Sequence, residues 1–226
     1  MTIGGKRSQA TRAPPTSIRR RLRRLVETNH GTLRSWLRSA LSQTEFALGW
    51  FDRFIEPAPH TVHRLVFVCL GNMNRSAFAA AVALRRDVKA VSIGLATSTG
   101  SSATSSAVHC ADGFGVDLGK HEATDISDYD FEPGDLLLVM ETGHARRLIN
   151  RGIPPKSIAL LGHWASPHRI YLHDPHTLSD LYFRTCFTLI HSAVNKLVDE
   201  LLFAGSPCCA ARPTANQPSR SKFVKA

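Results

Sequence analysis

From residue 61 to residue 204, apolar runs of strand length alternate with stretches whose apolar residues recur at helical spacing. The run Arg64-Leu65-Val66-Phe67-Val68-Cys69 is apolar at successive positions, as a parallel strand buried on both faces must be. A loop with Gly71 follows, and an Ala-rich stretch over 76–86 predicts a helix. Residues 90–94 predict a second strand and 103–114 a second helix. Residues 135–140 predict a third strand, 142–151 a helix, 157–161 a fourth strand after Pro154-Pro155, and 179–203 a long closing helix. Strands alternating with helices imply an α/β domain with a parallel sheet. Ligands of such sheets sit beyond the carboxyl ends of the strands, which is where Cys69 lies.

The pattern before this domain differs. Ile18, Leu22, Leu25 and Val26 recur at helical spacing within a basic run. Leu33, Trp36, Leu37, Leu41, Leu48, Phe51 and Ile55 do so over 32–55. Four segments result: a disordered basic tail over 1–17, a helical basic extension with linker over 18–60, the α/β domain over 61–204, and a flexible basic tail over 205–226.

Charge sharpens that division. The chain has 226 residues and a net charge of +10. Residues 1–60 hold 11 Lys and Arg against 4 Asp and Glu, and 205–226 hold 4 against none, so 61–204 carries a net −1. The basic character belongs to the appendages, which argues against a nucleic-acid partner for the domain. Arg19–Arg21, Arg23 and Arg24 would let residues 18–55 lie on an anionic membrane surface; docking on the domain is the other expectation. The five cysteines are irregularly spaced, which suits neither a disulfide framework nor a zinc site, and the expected compartment is a reducing cytoplasm. No apolar run reaches the ~18–20 residues of a membrane span.

The stretch Cys69-Leu70-Gly71-Asn72-Met73-Asn74-Arg75-Ser76 carries the chemistry. A Cys, five residues and an Arg join a buried strand to a helix, so the loop can curl its backbone N–H groups inward as an anion nest. The following helix adds its N-terminal dipole. Arg75 can grip phosphate oxygens with its planar fork, Gly71 permits close backbone approach, and Asn72 tolerates left-handed dihedrals. Such a positive setting favours a thiolate at Cys69, to which Ser76 could donate a hydrogen bond. Phosphate transfer also needs an acid for the leaving oxygen, and Asp174, in His173-Asp174-Pro175-His176, is the candidate.

From about residue 63 to 203 the chain resembles the low-molecular-weight protein-tyrosine phosphatases. The loop matches that family's Cys-x-Gly-Asn-x-x-Arg-Ser, and Asp174-Pro175 lies near the C-terminal end, where the family keeps its general acid. Phe183, Ser92-Ile93-Gly94, Gly115-Val116-Asp117-Leu118 with His121, and Asp135 to Met140 with His144 follow the family pattern in order. The resemblance implies a three-layer sandwich around a four-stranded parallel sheet, with a phosphate-binding loop after the first strand. It implies a hydrolase without metal or cofactor, acting through a phosphocysteine. Cys69, Arg75 and Asp174 would be catalytic; Leu70, Gly71, Asn72, Met73, Asn74, Ser76 and His176 would bind the substrate, a phosphotyrosine protein or small aryl phosphate. A bacterial tyrosine kinase of exopolysaccharide export is the substrate class the resemblance suggests. His121 and His144 read as structural.

Two departures stand out. Asn74 occupies a position where the family often has a second cysteine, and His176-Thr177 follow Asp-Pro where it often has aromatics. Two other readings remain beside the phosphatase. An arsenate reductase shares the fold and loop but needs relay cysteines, and residues 136–148 contain none. The other is an inactive phosphate-binding interaction protein.

Overall fold

The computed structural model describes residues 17–49, 54 and 58–209. Four parallel strands, β1 (Arg64–Cys69), β2 (Ala90–Gly94), β3 (Asp135–Val139) and β4 (Ile158–Leu160), form one sheet in the order β2-β1-β3-β4. The chain passes from β1 to β2 on one side and then crosses back to β3 on the other, so β1 and β3 frame the switch point where α/β sheets bind ligands. Cys69 is the last residue of β1.

Alternation along β1 divides the core. Leu65, Phe67 and Cys69 face a layer that includes α3 (Arg75–Leu84), α4 (Ser105–Asp112) and α6 (Asp180–Phe203). Val66 and Val68 face the opposite layer with Ala145 and Leu148 of α5 (Thr142–Ile149). The three-layer sandwich expected from the sequence is the architecture observed. Phe78 of α3 stacks on Phe187 of α6 at 4.0 Å, which locks the helix after the loop onto the closing helix.

The N-terminal extension folds as α1 (Ser17–His30) and α2 (Leu33–Ala47), and α2 ends in a turn at Leu48-Gly49; of the rest of the predicted 32–55 stretch all but Phe54 lies outside the described residues. Gly31 makes the turn at φ 74°, and a Cβ there would lie 2.5 Å from Leu178 Cδ1 and 3.0 Å from Tyr182 Cδ1. Only glycine lets the turn sit that close to the start of α6. The expected tail over 1–17 lies outside the described residues, apart from Ser17. The first residues of the expected tail over 205–226 pack on the domain. Cys208 is buried, its N–H bonds Val62 O, its carbonyl accepts from Lys89 N, and Cys209 bridges Val88. Residues after 209 lie outside the described range.

Opposite the site, Asp135 ties the strand starts together. It accepts from Arg64 Nε at 2.8 Å, Arg64 Nη2 at 3.0 Å, Tyr129 Oη at 2.9 Å and Glu132 N at 3.0 Å. Burial alone would raise its pKa; Arg64 and the other donors more than reverse this, so the carboxyl titrates below its ordinary range. Asp135→Ala leaves Arg64 its pair with Glu132 but removes the acceptor of Tyr129 Oη and Glu132 N, and should cost about 1–3 kcal/mol. Urea unfolding checks this; a loss under about 1 kcal/mol would mean water replaces the carboxylate freely.

Candidate active site

The loop after β1 wraps its own sulfur. Asn72 N–H donates to Cys69 Sγ at 3.2 Å, and Ser76 Oγ lies 3.0 Å from the same sulfur. The direction of the second bond follows from its neighbours. Asn72 Oδ1 accepts from Thr124 N at 2.9 Å, so Asn72 Nδ2 donates to Ser76 Oγ at 2.9 Å. The serine hydrogen is then free to donate to sulfur. Two donors are therefore aimed at Cys69 Sγ.

Asn72 sits at φ 51°, in the left-handed region that asparagine tolerates. Its carbonyl accepts from His121 Nε2 at 2.6 Å. Burial lowers the His121 pKa, so the ring is a neutral donor that pins the loop. His121 is a positioning group, as the sequence reading held. Gly71 is less demanding than expected, because a Cβ there would meet only the end of Met73, at 3.3 Å. The glycine that the loop requires is Gly94 at the end of β2. A Cβ there would lie 3.1 Å from both Asn72 Cβ and Leu70 O. Leu70 is exposed at the rim, while Asn72, Asn74, Arg75 and Ser76 are buried.

Arg75 opens α3, so the helix N-terminus points at the loop. Its Nη1 donates to Leu172 O at 2.9 Å and its Nη2 to Asp174 Oδ2 at 2.6 Å. Burial would lower its pKa, but Asp174 and Cys69 reverse this and hold it charged. Its Nε is buried without a partner, a donor available to an anion in the loop. The structure therefore brings the predicted acid, Asp174, onto the predicted arginine across 99 residues of chain.

Asp174 accepts from His176 N at 3.1 Å. Asn74 Oδ1 accepts from Thr104 Oγ1 at 2.6 Å, leaving its amide to donate to Asp174. Asn74 thus links the loop to the acid. Burial pushes the Asp174 pKa up, but Arg75 and these hydrogen bonds prevail and lower it. The His176 side chain is exposed at the rim. Thr177 holds φ 62°, an uncommon value for a β-branched residue, where the loop turns back toward α6.

The sequence reading missed the groups before Asp174. Tyr171 Oη lies 3.1 Å from His173 Nδ1, and the two rings stack at 5.7 Å. Burial, then Arg75, lowers the His173 pKa, so its neutral Nδ1 accepts from the tyrosine. Arg38 of α2 donates to Tyr171, so the extension reaches the loop that carries the acid. Aromatic groups absent after Asp-Pro thus stand before it. Cys186 lies beneath the same loop with Sγ 3.5 Å from His173 O. Burial raises its pKa to about 12, so it stays a thiol.

The sequence model described as low molecular weight phosphotyrosine protein phosphatase matches residues 64–204. The chain belongs to that family. The phosphatase is 31% identical over 144 residues to the probable low molecular weight protein-tyrosine-phosphatase AmsI of Erwinia amylovora, covering 62% of this chain and 98% of that relative. The crystal structure of Erwinia amylovora AmsI aligns with TM-score 0.54 and 27% identity, over 62% of this chain and 93% of that one. The Escherichia coli K30 tyrosine phosphatase Wzb, in complex with sulphate, aligns at 26% identity and TM-score 0.54, over 62% and 99%. Vibrio vulnificus Wzb with benzylphosphonate gives 26%, TM-score 0.52, 62% and 99%.

His144 of the phosphatase's α5 carries the largest histidine shift at the site. Burial, then Arg75 and Arg147, lowers its pKa to about 3. Its folded pKa is depressed, so its stabilisation is whole above the unfolded value near 6.5. It is lost as pH falls from there toward 3, at roughly 1.4 kcal/mol per pH unit. Between pH 7 and pH 5 the native protein should lose roughly 2 kcal/mol more than His144→Gln. Equal losses in urea titrations would show that the ring accepts a proton in place.

Proposed function

We propose that the phosphatase hydrolyses phosphotyrosine, or a small aryl phosphate, through a phosphocysteine on Cys69. The reading rests on one observation above all: Arg75, with a free buried Nε, bridges the sulfur loop and Asp174. The loop amides from Leu70 to Asn74, with Ser76, form the cradle for the phosphoryl oxygens, and His176 lies at its rim. The thiolate attacks phosphorus, an S–P bond forms, and the P–O bond to the leaving group breaks. Asp174 delivers its proton to the departing phenolate oxygen. A dianionic substrate competes for Arg75 and loosens its hold on Asp174, which raises the proton affinity of the acid when a proton is needed. With the phenol gone, Asp174 takes a proton from water, which attacks the phosphocysteine and releases phosphate.

The physiological substrate we infer is a bacterial tyrosine kinase of exopolysaccharide export, a membrane-associated protein class. The contact we infer for residues 18–55 is an anionic membrane surface. Among the described residues no helix is long and apolar enough to cross a membrane. The test of the reaction class is a hydrolysis assay with aryl phosphates, phosphotyrosine peptides and alkyl phosphates at matched concentration. Turnover of the first two and not the third is expected. Alkyl phosphates cleaved as fast as aryl ones would remove the phosphotyrosine assignment.

A further inference from the structure

Helix α2 has two opposed faces. At about 100° per residue, Ser35, Ser39, Ser42 and Phe46 project to one side, and Leu33, Trp36, Leu37 and Leu41 to the other. A leucine stripe would ordinarily face a core. Here the serine side does: the three serines are buried, and Phe46 packs over His168 at 4.7 Å. Gln43 Nε2 donates to His168 O at 2.9 Å, and Arg38 bonds Tyr171. Small side chains let the helix lie close over the segment that leads to Asp174.

The apolar side is left outward. Leu33 is 69% exposed, Trp36 44%, Leu37 54% and Leu41 55%. Helix α1 continues the surface with Leu22 at 57% and Leu25 at 52%. A cleft of about 530 Å³ between the two helices is lined by Leu22, Val26 and Leu33. A contiguous apolar patch of this kind marks an interaction surface. Its border is cationic: Arg20, Arg21, Arg23 and Arg24 are exposed on α1. Residues 17–47 hold seven arginines against Glu27 and Glu45.

We propose that this outward face is the docking site for an anionic membrane surface and that it holds the acid loop beside the lipid. Charge decides the occupant. A second copy would bring the same arginines face to face, whereas anionic headgroups neutralise them while the acyl region takes up the leucines and Trp36. Because α2 lies between the lipid and residues 168–178, that segment stands about one helix diameter, roughly 10–12 Å, from the membrane. The enzyme would then act on phosphotyrosines held close to the bilayer on membrane-anchored proteins. That consequence rests on the reading of the site given above; the binding itself does not.

The test is co-sedimentation of the full chain with phosphatidylcholine vesicles and with vesicles containing phosphatidylglycerol. Binding to the second, weakened by salt, is expected. Trp36→Glu, Leu37→Glu and Leu41→Glu together should abolish it. Arg20→Gln, Arg21→Gln and Arg24→Gln together should weaken partition by roughly a hundredfold, about fivefold for each arginine. These residues are solvent-facing, so both variants should hydrolyse a soluble aryl phosphate at the native rate. No binding to anionic vesicles, or binding that survives both variants, overturns the proposal. So does a concentration-dependent dimer without lipid binding, which would assign the face to a second copy. A protein that binds vesicles but hydrolyses nothing would sink the phosphatase reading and leave the docking site standing.

Discussion

Cys69→Ser should lower aryl-phosphate turnover by on the order of 10⁴–10⁶-fold, because a serine hydroxyl is a far weaker nucleophile than a cysteine sulfur. The surrounding donors remain: Asn72 N–H and the Ser76 hydroxyl point at the same place. Phosphate or vanadate should therefore still bind the variant, and isothermal titration measures this separately from rate. Arg75→Lys should fail for a different reason. An ammonium cannot donate to Leu172 O, to Asp174 and to a phosphoryl oxygen in one plane, as the guanidinium does. A loss of about 10²–10³-fold in kcat is expected. Substantial turnover by Cys69→Ser would exclude the nucleophile, and full activity of Arg75→Lys would reduce the arginine to a point charge.

Asp174→Asn should cost about 10²–10⁴-fold for leaving groups of high pKa and far less for nitrophenol. A poor leaving group needs the proton most, so the Brønsted slope of kcat/KM, which reports the step that expels the leaving group, should steepen in the variant. An equal loss in kcat/KM for every leaving group would mean that Asp174 only shapes the loop in that step, through His176 N and Arg75.

Much of this was legible because β1 and its loop are governed locally. A doubly buried parallel strand must be apolar at successive positions, and Leu65 to Val68 are. The left-handed Asn72 and the serine that reaches the sulfur follow from residue type and spacing. The Arg75–Asp174 pair was harder, since 99 residues separate its members; only the resemblance joined them before the structure did. The orientation of α2, on which two expectations stood side by side, is not legible in its periodicity. Periodicity locates an apolar face but not what it meets, and here the serines are buried while the leucines are exposed. A second signal was present in the spacing of Ser35, Ser39 and Ser42, a small-residue stripe that permits close approach. Tyr171, His173 and Arg38 escaped notice because they meet through tertiary packing and sit in no motif. The ordered stretch to Cys209 was read as tail because its polar composition gave no hint that Cys208 would pair its backbone with Val62 and Lys89.

The central claim is a covalent phosphoryl group on Cys69, and rapid acid quench during turnover of an aryl phosphate tests it most directly. Peptide mass spectrometry of the quenched native enzyme should find one added phosphoryl group on the peptide that contains Cys69, absent from Cys69→Ser. Turnover with no phosphoenzyme at any time, or with the group on another residue, would contradict the account.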